Sequence, residues 1–223
     1  MNRKKLLGAC VLIVFAVVFM LGVGWWQSRS RTEQVAGVLP LPLDQMSFTL
    51  SDHRGNTVRP EDWIGQPTLV FFGFTWCPDI CPTTLSDISD WLEQIGSDAD
   101  RLNAVLISVD PARDTPEVLD DYLSNFDPRI IGLTGALPQI RKAADGFRAS
   151  FRKVPRDDGD YTMDHTAGVF LFNADGGFAS IIDYHEDPRY AVPKIRRVLC
   201  SASPPADADC HEGDEPAALS RGL

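Results

Sequence analysis

Two cysteines separated by three residues are the part of this sequence best suited to chemistry. Cys77 and Cys81 follow the apolar run 68–74, which predicts a buried strand, and precede residues 83–95, whose pattern predicts a helix. Free backbone N–H groups and the helix dipole at such a turn favour thiolate over thiol. Thiolates carry out redox chemistry or bind soft metal ions. The spacing therefore predicts a redox pair or part of a metal site.

A third ligand has to come from elsewhere in the chain, and four histidines are available. His53 in a polar turn and His211 near the C-terminus are expected to be solvated, whereas His165 and His185 flank a predicted β-hairpin. If the leading edge of that hairpin lies beside the strand end that bears the cysteines, His165 reaches both sulfurs, and His185 is the competitor. Two thiolates and one imidazole suit Cu(I) and also tolerate Cu(II).

The elements that must position these residues alternate between strand and helix. Such an order, closed by a hairpin and a last helix, predicts an α/β sandwich with a mixed central sheet. An early strand at 47–50 is followed by a turn at 52–56. The later strands are predicted at 67–74, 103–109, 130–133, 167–172 and 178–184, and the helices at 86–95, 115–125, 137–150 and 191–199.

The N-terminus predicts a membrane anchor. Residues 6–26 are uncharged and mostly apolar, and as a helix they would span about 31 Å, which matches a bilayer core. The basic start, residues 1–5, is expected to stay in the cytoplasm, so the rest of the chain faces the other side. A cleaved signal peptide and lipidation at Cys10 are weaker alternatives, because the cleavage site is poor and only a short apolar stretch precedes Cys10.

Composition divides the remaining chain into three parts. Residues 27–43 form a Pro-punctuated linker, 44–199 a globular domain, and 200–223 an acidic tail with too few large apolar residues to fold. The formal charge of −10 argues against nucleic-acid binding. Cys200 and Cys210 can pair as a disulfide, remain free thiols, or form an auxiliary metal site with His211 and Glu212.

Three motifs in order resemble the SCO/SenC family: residues 73–82 (GFTWCPDICP), 108–115 (SVDPARDT) and 164–166 (DHT). Members of that family are membrane-anchored copper-binding proteins with a thioredoxin-like fold that act in cytochrome c oxidase assembly. The resemblance implies that Cys77, Cys81 and His165 bind one copper ion. It also implies delivery of copper to the copper A site of oxidase subunit II, or reduction of the cysteines of that site.

Two classes of function therefore remain open. The first is a copper chaperone, with Asp164 orienting the imidazole and Asp79 tuning the thiolates as hypotheses. The second is a thiol–disulfide oxidoreductase in which Cys77 attacks and Cys81 resolves; a Trp before the first cysteine is typical of thioredoxins and favours it. Peroxide reduction at Cys77 is disfavoured by its surroundings. The expected partners are the oxidase subunit, copper donors and thiol reductants, and the expected location is the bacterial inner membrane with a periplasmic domain.

Overall fold

The computed structural model describes residues 17–22, 39–157 and 159–202. The chain divides into two units, Met1–Leu39 and Pro40–Leu223. In the first unit residues 17–22 are helical, and most of the predicted membrane span 6–26 lies outside the described residues. Within the described ranges, no helix combines the length and the apolar character needed to cross a membrane.

The second unit is built on a seven-stranded sheet of the strands β1 (Leu50–Asp52), β2 (Thr57–Val58), β3 (Thr68–Gly73), β4 (Asn103–Ser108), β5 (Ile130–Thr134), β8 (Val169–Phe172) and β9 (Phe178–Ile182). Their order across the sheet is β2-β1-β5-β4-β3-β8-β9. The three central strands β3, β4 and β5 run parallel, whereas β1 and β8 join them antiparallel. The sheet is therefore mixed, as predicted.

In the described part of this unit, four α-helices accompany the sheet: α1 (Ile80–Ile95), α2 (Pro116–Leu123), α3 (Leu137–Phe147) and α4 (Pro188–Ala202). Short 3-10 turns lie at Leu43–Gln45, Pro60–Trp63 and Gly96–Arg101. Strand β3 is fully buried because both of its faces are covered. Phe72 packs on Phe147 of α3, while the neighbouring Gly73 faces Cys81 of α1. Successive strand residues point to opposite faces, so helices lie on both sides of the sheet.

A second, two-stranded sheet is the main feature of the fold that the sequence pattern did not predict. Strands β6 (Phe151–Pro155) and β7 (Tyr161–His165) pair antiparallel, with Phe151 opposite His165. The predicted helix over 137–150 is confirmed for Leu137–Phe147, but its last three residues are not helical, and no strand was predicted between it and the strand at 167–172. Helix α3 ends at Phe147 because Arg148 adopts a left-handed conformation with φ of 56°, which terminates a helix. The two strands are mostly half-exposed, so they lack an apolar run.

Candidate metal centre

The two cysteines lie at the connection between the central strand β3 and helix α1. Strand β3 ends at Gly73, Cys77 sits in the following turn, and α1 begins at Ile80 after the N-cap residue Asp79. Cys81 is in the first helical turn and is fully buried, whereas Cys77 is partly exposed. The backbone N–H of Cys81 donates to Cys77 Sγ at 3.4 Å. The helix N-terminus thus directs an N–H group at the Cys77 sulfur.

His165 reaches the cysteines from the end of the small hairpin. It is the last residue of β7, and the chain then enters β8, whose Val169 pairs with Phe71 near the end of β3. Nε2 of His165 lies 3.4 Å from Sγ of Cys81. Among the described residues, the one group of three or more metal-binding side chains is Cys77, Cys81 and His165, whose ligand atoms all lie within 4.8 Å of one another.

The imidazole is held in the tautomer that a metal requires. Nδ1 of His165 lies 2.9 Å from the carbonyl oxygen of Thr166. A carbonyl only accepts, so Nδ1 carries a proton, and in the neutral ring Nε2 is the nitrogen whose lone pair is available to a metal ion. The rings of Phe71 and Phe74 meet the imidazole edge-on, with centroids 5.9 and 5.8 Å away. These contacts fix the ring orientation and exclude water from one side of the site.

The carboxylates of Asp164 and Asp79, which were predicted to orient the imidazole and to tune the thiolates, do not contact those groups. Asp164 points to the opposite face of β7 from His165 and pairs with Arg152, with Oδ2 2.8 Å from Nη2. Neighbouring strand residues alternate between faces, so Asp164 cannot share the orientation of His165. The carbonyl of Thr166 occupies the place predicted for Asp164. Asp79 is exposed, and its backbone N–H, rather than its carboxylate, bonds the Cys77 sulfur.

The pKa values of the two thiols are shifted in opposite directions. A hydrogen bond from the Cys81 thiol, supported by the backbone N–H groups of Asp79 and Cys81, outweighs the effect of burial and lowers the pKa of Cys77 to about 3. The same hydrogen bond, together with burial, raises the pKa of Cys81 well above its usual range. The reduced pair therefore holds one proton, on Cys81, and Cys77 is the thiolate at neutral pH.

A buried carboxylate anchors the turn that carries Cys77. Asp114, fully buried, accepts hydrogen bonds from the Thr75 backbone N–H at 3.2 Å, from Thr75 Oγ1 at 2.6 Å and from the hydroxyl of Ser108. Burial raises the pKa of Asp114. Asp114 belongs to the second motif, residues 108–115, but the sequence indicated no contact between this motif and the cysteine turn.

A second cluster ties the hairpin that bears His165 to the loop after β4. Tyr161 donates its hydroxyl to Asp110 Oδ1 at 2.9 Å, and Arg113 donates to the Tyr161 carbonyl at 3.2 Å. Arg113 also pairs with Asp110 and with Asp160. The hairpin is thereby connected through polar contacts to the main sheet, which fixes the position of the imidazole relative to the sulfurs.

His53, His185 and Cys200, the other described histidines and cysteine, do not belong to this group. His53 was expected to be solvated, but its side chain is 5% exposed, and its Nδ1 accepts from the Gly132 N–H. His185 is exposed and lies 3.4 Å from Asp87. Cys200 is disulfide-bonded, and Cys210, the partner considered for it, lies outside the described residues, as does His211.

A profile of the SCO1/SenC family matches residues 42–200, which include all three residues of the site. The chain belongs to the SCO1/SenC family. It is 32% identical to the mitochondrial protein SCO2 homolog of Mus musculus over 203 residues, covering 85% of this chain and 78% of that one. It is 33% identical to an SCO2-like protein of Rickettsia felis over 184 residues, covering 78% of this chain and 90% of that one.

Solved structures of family members have the same fold. Bradyrhizobium japonicum ScoI with copper bound is 47% identical and superimposes with a TM-score of 0.64, covering 68% of this chain and 96% of that one. Yeast Sco1 with copper bound is 35% identical with a TM-score of 0.63, covering 70% of this chain and 86% of that one. The mixed sheet and its order of elements thus form the thioredoxin-like fold expected from the sequence.

Proposed function

We propose that this protein carries one copper ion on Cys77 Sγ, Cys81 Sγ and His165 Nε2 and delivers it to cytochrome c oxidase. The observation that carries this proposal is the convergence of two sulfurs and one imidazole nitrogen within 4.8 Å. Sulfur and imidazole donors in this number suit Cu(I) and tolerate Cu(II). Similarity to copper-bound ScoI of Bradyrhizobium japonicum and copper-bound yeast Sco1 supports copper as the cargo.

Proton release accompanies metal binding at such a site. Cys77 is already a thiolate, so the proton that must leave is the one on Cys81, whose pKa is raised. A cation at the site stabilises the second thiolate and reverses the effect of burial on Cys81. A Cys77–Cys81 disulfide would leave no thiolate to bind copper, so the protein takes up copper only in its reduced form.

Delivery is proposed to occur at the copper A site of oxidase subunit II. Residues 6–26 would anchor the protein in the bacterial inner membrane, with residues 1–5 in the cytoplasm and the linker 27–43 leading to a periplasmic domain, 44–199, and a tail, 200–223. This topology rests on the apolar segment and the basic start of the sequence. Copper donors and thiol reductants on the same side of the membrane would load and reduce the site.

A thiol–disulfide oxidoreductase is the second candidate, favoured by the low pKa of Cys77. The Cys77 thiolate would attack a disulfide of the oxidase subunit and form a mixed disulfide, with one substrate thiolate leaving. The Cys81 thiol would lose its proton and attack Cys77, so a Cys77–Cys81 disulfide forms and the substrate leaves as a dithiol. An external thiol reductant would then restore the pair.

Replacement of His165 by Ala separates the two functions. We expect the reduced full-length variant to lose most of its copper affinity, measured by competition with a Cu(I) chelator, while thiol exchange with a model disulfide changes little. His53→Ala is a matched control, because His53 is a buried histidine away from the sulfurs. Oxidase maturation in cells that carry His165→Ala decides the role: maturation at the wild-type level would rule out copper delivery through this site.

A further inference from the structure

A cavity of about 550 Å³ opens beside the metal centre and contains none of its three ligands. It lies between the small hairpin, the start of α3 and the loop that follows β4. Its volume is within the range of natural binding sites. The residues around it are Val109, Asp110, Pro111, Ala112, Gly135, Leu137, Arg141, Phe151, Arg152, Lys153, Tyr161 and Met163.

Apolar side chains form the interior of this cavity. Val109 is buried at its base, and Phe151 and Met163 are half-buried on facing strands of the hairpin. Leu137 at the start of α3 is 41% exposed although it is a large apolar residue. An apolar side chain from another molecule would remove this surface from water, which favours its insertion.

Two of the three cationic side chains at this cavity lie over aromatic rings and are not paired with a described carboxylate. The guanidinium of Arg141 lies over Phe151, and the Lys153 ammonium lies over Tyr161 at 3.4 Å from the ring centroid. Neither forms an ion pair with any carboxylate that the structure describes, whereas Arg152 is paired with Asp164. In a chain with a formal charge of −10, two uncompensated cations on an apolar cavity form a local site for carboxylates.

The cavity is continuous with the cysteine turn. Tyr161 and Met163 lie on the same face of β7 as His165, at two-residue intervals. The Arg113 guanidinium stacks between them and the turn, 3.8 Å from the Tyr161 ring centroid and 5.3 Å from that of Trp76. Trp76 is 62% exposed and directly precedes Cys77. Trp, Tyr, Arg and Met are the residue types enriched in protein interfaces.

We propose that this cavity and Trp76 form the docking surface for the protein that receives the copper, and that the docked segment carries an apolar side chain flanked by carboxylates. The inference rests on the proposed delivery function and specifies the chemistry of the partner. The apolar side chain enters between Leu137, Phe151 and Met163, and the carboxylates pair with Arg141 and Lys153. Docking there places the acceptor beside Cys77 and His165.

Copper transfer to two different acceptors tests this surface. The full-length protein, purified in detergent and loaded with Cu(I), is mixed either with the soluble copper-binding domain of oxidase subunit II from the same organism or with a small Cu(I) chelator. The variant is Arg141→Glu with Lys153→Glu. The control is Lys142→Glu with Arg156→Glu, which makes the same charge change at adjacent exposed positions that do not line the cavity.

We expect the cavity variant to transfer copper to the protein acceptor about tenfold more slowly at low salt, with a smaller difference at high salt. Transfer to the chelator and both rates of the control should remain at wild-type values. If the rate of transfer to the chelator also changes, the binding of the copper-free reduced protein to the acceptor is measured by calorimetry. Binding by the cavity variant that is about tenfold weaker than that of the wild type supports the docking surface. Equal binding by the two proteins overturns it.

Failure of the docking surface is distinguishable from failure of the proposed function. Equal transfer to the protein acceptor by the wild type, the cavity variant and the control would overturn the docking surface and leave delivery intact. A wild-type protein that yields copper to the chelator but never to the oxidase domain would overturn delivery, and the docking surface with it.

Discussion

Gly73 and Cys81 touch where the central strand meets helix α1: a Cβ at position 73 would lie 3.0 Å from Cys81 Sγ and 2.9 Å from the ring of Phe71. Both distances are shorter than ordinary contacts between such atoms. The absence of a side chain at position 73 therefore lets the buried sulfur lie directly against the strand. Any larger residue has to displace the sulfur or the strand.

Gly73→Ala is expected to reduce copper affinity by about tenfold or more, because it displaces one of the two sulfurs, and to lower stability by about 1–3 kcal/mol, as overpacking does. Gly132→Ala is a matched control for overpacking, because its Cβ would lie 2.7 Å from Leu123 and would meet Leu119, but neither cysteine. Chelator competition and urea unfolding measure the two effects. Wild-type copper affinity in Gly73→Ala would contradict this prediction.

The stability of the reduced protein should depend on pH through the cysteine pair. The folded pair keeps one proton, since the pKa of Cys77 is lowered to about 3 and that of Cys81 is raised, whereas unfolded cysteines titrate near about pH 8.5. From about pH 4 to 8 the unfolded state binds more protons, so the free energy of unfolding rises with pH. Above about pH 9 the folded state binds more protons than the unfolded state, so the free energy of unfolding falls as the pH rises further.

Urea unfolding of the reduced protein between pH 5 and 10 checks this dependence, with the Cys77→Ser/Cys81→Ser double variant as control. The slope attributable to the pair is at most about 1.4 kcal/mol per pH unit, and solvent around the partly exposed Cys77 reduces it. Below about pH 8, the difference in stability between wild type and double variant should grow with pH. A constant difference over the whole range would show that the pair does not share one proton.

Tyr161→Phe should loosen the hairpin that carries His165. The substitution removes the hydrogen bond to the buried carboxylate of Asp110, and we expect a loss of about 1–2 kcal/mol in the free energy of unfolding. Because the imidazole is then less well positioned, copper affinity should fall a few-fold. Tyr190→Phe, at a residue that is 63% exposed, is the control and should match the wild type. Unchanged copper affinity in Tyr161→Phe would show that this contact does not position the ligand.

Asp164→Ala should leave copper affinity within about twofold of the wild type. The carboxylate pairs with Arg152 on the outer face of the hairpin, and both side chains are more than half exposed, so the pair contributes about 0–1 kcal/mol. Competition with a Cu(I) chelator measures the copper affinity of Asp164→Ala, and His165→Ala, measured in the same way, shows how large the loss of a ligand is. A loss approaching that of His165→Ala would restore Asp164 as the group that orients the imidazole.

The sequence was most informative where its pattern was strongest. The apolar run before Cys77 predicted β3, and its burial on both faces follows from the parallel neighbour β4 and the helices that cover it. The hairpin β8–β9 and its position beside β3 were also predictable, because its strands are apolar and its turn is rich in Asp and Gly. Strands β6 and β7 were not, since half-exposed strands carry no such pattern.

The types and spacing of its residues determined that this protein has two thiols at a helix start, and they favoured His165 as a third donor. Only the tertiary structure decided what surrounds them: the carbonyl that sets the tautomer of His165, the buried Asp114 that holds the turn, and the direction of Asp164. Local sequence fixes which groups a segment can offer. Contacts between distant segments depend on strand pairing and on side-chain direction, which arise only when the sheet is assembled.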